Sequence, residues 1–181
     1  MKVSDLIKPL VAIGCVIFLL CYLIEKPNTL EDYSSYISYA VSAVVVLFIV
    51  YERWLWRFIP WKRPPVLKKR YDGIIYYVEN QEAKTKHIDV FIKQSLLTTM
   101  IRTRTDINES YSITASIEQE YGNHILNYIY VTNPDASVLK SNPIQHGACR
   151  MVLEKDTHLV EGKYWTTSQT IGDIHWQEHA E

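Results

Sequence analysis

His175-Trp-Gln-Glu178-His179 spells H-x-x-E-H, two imidazoles and a carboxylate at a spacing that can hold zinc for peptide hydrolysis when it lies on a helix. No helical period surrounds it, so a polar tail is the expectation. His87, His124, His146 and His158 show no metal-ligand spacing. There is no G-x-S-x-G, no phosphate-binding P-loop, no G-x-G-x-x-G and no H-E-x-x-H. Cys149, between Ala148 and Arg150, reads as a small core residue. The chain is therefore expected to have no catalytic residues, no metal and no cofactor, and not to be an enzyme.

Tyrosines and arginines remain. Arg102 and Arg104 share one face of an alternating run with threonines between them, and Tyr128 and Tyr130 share a face of another. Gly162, Tyr164, Thr166 and Ser168 share a third, with Thr170 just beyond. Tyrosine stacks on bases, and arginine forks onto phosphates. A pocket lined by Arg102, Arg104, Tyr128, Tyr130, Tyr164, Thr166 and Thr170 would suit a small phosphorylated nucleotide. Tyrosine is equally an ordinary strand former, and alternate arginines an ordinary solvated face.

These residues need strands to position them. Eight runs read as strands: Gly73–Val78, His87–Gln94, Leu96–Thr105, Ser110–Gln119, Ile125–Thr132, Gln145–Leu153, Val160–Ser168 and Ile171–Gln177. The clearest alternation sets Tyr111, Ile113, Ala115 and Ile117 against Ser110, Ser112, Thr114 and Ser116. Turn signals fall at Glu79-Asn-Gln, Asp106-Ile-Asn, Tyr121-Gly-Asn, Asn133-Pro-Asp, Ser141-Asn-Pro and Glu161-Gly-Lys. The expected architecture over 64–181 is an all-β, eight-stranded antiparallel barrel, closed up-and-down, with a sandwich as the other solution.

Ahead of it, Pro9–Ile24 and Tyr33–Tyr51 carry no charge. Runs of this length cross a hydrocarbon core of about 30 Å. Two transmembrane helices are expected, over about 6–24 and 34–56, forming a hairpin within 1–63, with Pro9 in the first turn. Lys2 and Lys8 precede the first run, and Arg53, Arg57, Lys62, Arg63, Lys68, Lys69 and Arg70 follow the second. Glu25, Glu31 and Asp32 mark the connector. The positive-inside rule then places the N-terminus and the C-terminal domain in the cytoplasm. Ser35, Ser38 and Ser42 form a small-residue stripe, which packs either on the first helix or on another protomer. Three thiols without a C-x-x-C fit a reducing compartment. The 19 Lys+Arg against 20 Asp+Glu argue against a protein that coats DNA or RNA.

The order of features resembles a known family. Two N-terminal spans precede Tyr71-Asp-Gly73, Ser110-Tyr-Ser112 with Ala115, Tyr128-Ile-Tyr130, His146-Gly147, and Leu159-Val-Glu-Gly162-Lys-Tyr164-Trp-Thr166…Thr170-Ile-Gly172-Asp-Ile174. Together they resemble the two-transmembrane, β-strand-rich effectors associated with bacterial cGAS/DncV-like nucleotidyltransferases. The resemblance implies a multi-pass inner-membrane effector of cyclic-oligonucleotide antiphage signalling (CBASS). A partner nucleotidyltransferase makes a cyclic dinucleotide, the barrel binds it, protomers form a homo-oligomer, and the hairpins disrupt the lipid bilayer and kill the infected cell. The alternative is a membrane-anchored, lipocalin-like module for a lipid or other apolar ligand, whose interior would be lined by Leu, Ile and Val.

Overall fold

The computed structural model describes residues 4–24, 26–58, 64–79, 81–139, 143–154 and 157–180. The chain divides into two compact units, Met1–Arg63 and Pro64–Glu181.

The first unit holds α1 (Ser4–Ile24) and α2 (Leu30–Arg53), followed by a short 3-10 turn, Leu55–Arg57. Both helices are long and apolar enough to cross a membrane. α1 contains Pro9 and is described from Ser4, two residues before the expected span. α2 starts four residues before its expected span because Thr29 caps it. The Thr29 hydroxyl accepts from the Asp32 N–H (3.2 Å), and the Asp32 carboxylate accepts from the Thr29 N–H (2.9 Å). The helices approach where side chains are small: Ala40 is buried, and a Cβ on Gly14 would stand 3.5 Å from Val44 Cγ2.

The second unit is a closed barrel of β1 (Arg70–Glu79), β2 (Glu82–Gln94), β3 (Thr99–Arg104), β4 (Asn108–Glu120), β5 (Asn123–Pro134), β6 (Gln145–Leu153), β7 (Leu159–Thr166) and β8 (Ile171–Glu178). Each strand pairs antiparallel with its sequence neighbours, and β8 returns to β1. This matches the expected barrel and removes the sandwich.

Four local differences matter. β2 begins at Glu82, not His87, because its polar first half pairs with Tyr76–Glu79 of β1. β3 loses Leu96–Thr98 to a turn closed by the Ser95 N–H on the Thr98 carbonyl (2.8 Å). The expected turn at Glu161-Gly-Lys lies in mid-strand. Gly162 stands there because a Cβ would meet the Arg150 carbonyl oxygen on β6 at 2.1 Å, so it marks close backbone approach and not a reversal. A bulge between Ser112 and Thr114 breaks the β4 alternation. Ser110 and Ser112 share the inner face with Ala115 and Ile117, while Tyr111 and Ile113 turn outward. The Ser112 hydroxyl accepts the Ile101 N–H there (2.9 Å). The Ser141-Asn-Pro turn signal falls partly outside the described residues.

The end at which the chain enters the barrel is packed solid. Tyr71, Val90, Leu126, Met151, Val160 and Trp176 are fully buried around it, each worth about 1.5–3 kcal/mol in apolar transfer for the larger aliphatic side chains. The entering segment seals this end by hydrogen bonds. The Leu67 N–H donates to Gln94 Oε1 (2.9 Å), Gln94 Nε2 to the Pro65 carbonyl (3.0 Å), and the Thr157 hydroxyl to the Val66 carbonyl (2.8 Å). The Tyr71 hydroxyl donates to the Thr157 carbonyl (2.7 Å) and accepts from the Lys68 N–H (2.9 Å).

Candidate functional site

At the opposite end the interior becomes polar and opens into a cavity of about 110 Å³. Strand parity divides its wall. The β5, β6 and β7 side carries Tyr128, Tyr130, Cys149 and Tyr164, and the β2, β3 and β4 side carries Lys86, Thr103, Asn108 and Ser110. Thr105 and Thr132 continue the polar side, and Ile75, Ile88 and Ile174 form the floor and flank.

The aromatic wall is continuous with the packed end. Tyr130 and Tyr128 lie 5.8 Å apart by ring centroids, Tyr128 and Trp176 5.9 Å, and Trp176 and Tyr71 6.0 Å. These are tilted aromatic contacts that fix ring positions as well as bury area. Gly147, opposite Tyr130 on β6, is required by this packing, since a Cβ there would fall 2.3 Å from Tyr130 Cζ. On the polar wall, the Ser110 and Thr132 hydroxyls bond each other (2.9 Å). The Thr105 hydroxyl accepts the Asn108 N–H (3.1 Å).

Burial sets the electrostatics. It pushes the Tyr164 hydroxyl and the Cys149 thiol each up to about 12, and raises Tyr128 and Tyr130 further. All four stay neutral at pH 7, and the phenols keep a proton to donate. Burial also lowers the Lys86 ammonium, partly offset by Asp106. Lys86 is the one charged side chain among the described residues lining the cavity.

Of the expected ligand-binding residues, Tyr128, Tyr130 and Tyr164 lie together in the cavity wall. Arg102 and Arg104 are on the outer surface. Arg102 pairs with Glu109 (3.5 Å) and lies 4.8 Å over the Phe91 ring, while Arg104 is exposed beside it. The threonine alternating with them, Thr103, takes the inner face, because unpaired guanidinium groups are costly inside a packed barrel. Thr166 and Thr170 lie in the β7–β8 turn at the same end, where the Thr166 hydroxyl accepts the Thr170 N–H (3.3 Å). Lys86 lay beyond the sequence-read strand. Extending the period from Ile92, Val90 and Ile88 backwards by one step reaches it.

The H-x-x-E-H residues lie on β8 and, for His179, just past its end, each with separate partners. His175 Nδ1 bonds Glu161 (2.8 Å), His179 Nδ1 bonds Asp72 (2.8 Å), and Glu178 engages Lys68 (3.0 Å) and His158. In the helical unit, Ser35, Ser38 and Ser42 are exposed and lie away from the Ala40–Val44 face that meets α1. Of the two readings of the stripe, packing on the first helix does not fit this placement. The Ser38 hydroxyl donates to the Ser34 carbonyl within its own helix (2.9 Å).

The described residues form a closed barrel with a tyrosine wall facing a polar wall around a small cavity, preceded in sequence by two helices long and apolar enough to cross a membrane. The chain belongs to the Cap15 family: residues 63–178 match the Cap15 cyclic dinucleotide receptor domain. It is also 35 % identical, over 179 residues, to CD-NTase-associated protein 15 of Staphylococcus schleiferi, covering 96 % of this chain and 95 % of that protein. The family and the barrel expected from the sequence are both found.

Proposed function

We propose that the barrel binds a cyclic dinucleotide made by a partner nucleotidyltransferase of a CBASS system, and that binding drives assembly of protomers whose hairpins disrupt the inner membrane. The observation that carries this is the cavity: bases can stack on Tyr128, Tyr130 and Tyr164, and the facing wall offers hydroxyls and one cation. Family membership supplies the ligand class. A lipocalin-like site would surround its ligand with aliphatic groups, and the Thr103–Ser110 wall weighs against that. The charges at Arg53 and Arg57 favour a cytoplasmic barrel and N-terminus. The exposed Ser35, Ser38 and Ser42 face favours helix contacts between protomers. The receptor acts by binding, with no catalytic step assigned to it.

The test uses the full chain in lipid nanodiscs, titrated calorimetrically with cyclic di-AMP, cyclic di-GMP, cyclic GMP–AMP and a pyrimidine-containing cyclic dinucleotide. Dye release from liposomes carrying the chain is then followed with the ligand that binds. Micromolar or tighter binding and ligand-dependent release support the reading. Absence of binding across the panel, with binding of an extracted lipid instead, overturns it.

A further inference from the structure

The cavity is small for its proposed ligand. Sites that enclose drug-sized molecules run to about 300–1,000 Å³, several times the 110 Å³ found here. On the proposed function, an interior of this size has room for one part of a cyclic dinucleotide. The chemistry of the polar wall says which part.

Lys86 sits on β2 beyond the last β2–β3 pair, Asp89–Arg104, and so faces the β3–β4 turn that carries Asp106. It is half-buried, and its ammonium closes no hydrogen bond or ion pair with a described residue, though Asp106 acts on it at longer range. The Thr103 hydroxyl, also on the cavity wall, likewise closes no hydrogen bond with a described residue. The other hydroxyls on this wall are engaged: Thr105 in its turn with Asn108, and Ser110 with Thr132. A partly desolvated cation and an uncommitted hydroxyl on the same wall are donors awaiting an acceptor. A phosphodiester, with two oxygens that share the negative charge, can accept charge-assisted bonds from donors at separate points of the wall; a nucleobase edge offers the ammonium no charge to offset its desolvation.

We propose that Lys86, with Thr103, forms an anion subsite inside the barrel that takes one phosphodiester of the ligand, leaving the tyrosine wall to a base. This rests on the reading of the barrel as a cyclic dinucleotide receptor. It also reassigns the phosphate-reading role from Arg102 and Arg104, which face outward, to a lysine on the neighbouring strand.

The experiment titrates wild type and Lys86→Gln, both full-length in nanodiscs, with the tightest-binding member of the cyclic dinucleotide panel and with its neutral methylphosphonate analogue. Wild type should bind the neutral analogue about tenfold to a hundredfold more weakly than the phosphodiester. Lys86→Gln should weaken phosphodiester binding by a similar factor, with no further loss on the neutral analogue, and its ligand-free melting should match wild type. The subsite is overturned if wild type binds both ligands equally, a result that needs no variant to fold. It is also overturned if a folded Lys86→Gln binds the phosphodiester as wild type does, or if the two losses simply add. Failure of wild type to bind any cyclic dinucleotide overturns the receptor reading instead.

Discussion

Gly147→Ala and Gly162→Ala add the same methyl group to the same strand pair, and the structure predicts different lesions from them. At Gly162 the new Cβ would lie 2.1 Å from the Arg150 carbonyl oxygen and 2.5 Å from Met151 Cα, both backbone atoms of β6. Ordinary contact lies beyond about 3.5 Å, so β6 and β7 must part by roughly 1 Å in the middle of a ladder running from Gly147–Thr166 to Leu153–Val160. Losing two ladder bonds at about 1 kcal/mol each, with overpacking of about 1–3 kcal/mol, gives roughly 3–5 kcal/mol. For a barrel of this size that lowers Tm by roughly 10–25 °C. At Gly147 the clash is with Cζ, the hydroxyl and Cε1 of Tyr130, at 2.3, 2.4 and 2.8 Å. These are the far atoms of a side chain that can swing, so the cost falls near 1 kcal/mol, but the ring that lines the cavity is displaced by about 1 Å. A misfit of this size at a binding surface costs about tenfold or more in affinity. The assay is thermal unfolding followed by tryptophan fluorescence, with calorimetric titration on the same nanodisc samples. Gly162→Ala melting within about 3 °C of wild type would refute the backbone argument. Gly147→Ala binding cyclic dinucleotide as tightly as wild type would refute the placement of the site at Tyr130.

Tyr71→Phe removes a buried hydroxyl with two backbone partners, the Thr157 carbonyl and the Lys68 N–H, and should destabilise the barrel by about 2–4 kcal/mol in denaturant unfolding. With its thiol pushed up to about 12, Cys149 should resist iodoacetamide at pH 8 in the folded protein and label fully on unfolding, as read by peptide mass spectrometry. Changing Ser35, Ser38 and Ser42 together to Leu should weaken growth arrest on expression with a nucleotidyltransferase while leaving ligand affinity within about twofold. Unchanged growth arrest would remove that face from the assembly.

The sequence carried the hairpin and the barrel because their signals are long: two uncharged runs, and strands such as β6, where Gly147, Cys149, Met151 and Leu153 alternate strictly. The site was less legible because alternation separates two faces without saying which is inner. At Arg102-Thr103-Arg104 the eye goes to the functional-looking arginines, yet burial favours the threonine. In β4 a single bulged position exchanges the faces, so Tyr111 leaves the interior and Ser110 enters it. Lys86 went unread because Lys84-Thr-Lys86-His has no apolar member to mark a strand. Its pairing with Ile75 comes from the length of β1, which is a property of the partner strand.

The tyrosine wall belongs to the buried core as well as to the cavity, whereas the polar wall of Lys86, Thr103 and Ser110 does not. Tyr71, Leu126, Met151 and Trp176 hold the end where the chain enters, and the polar wall at the other end contributes little packing. On the proposed function, polar-wall variants that abolish killing with a normal melt would therefore report on ligand gating, not on misfolding. The same separation constrains how ligand could drive assembly. A ligand shifts an assembly equilibrium only through a difference in affinity between separate and assembled protomers. Where contacts buried inside one barrel are unchanged by assembly, they contribute nothing to that difference. On the proposed function, the preference must come from the part of the ligand that a 110 Å³ cavity leaves outside, or from a mouth that ligand reshapes. Residues around the rim, not those deepest in the cavity, are then where substitutions should separate binding from killing.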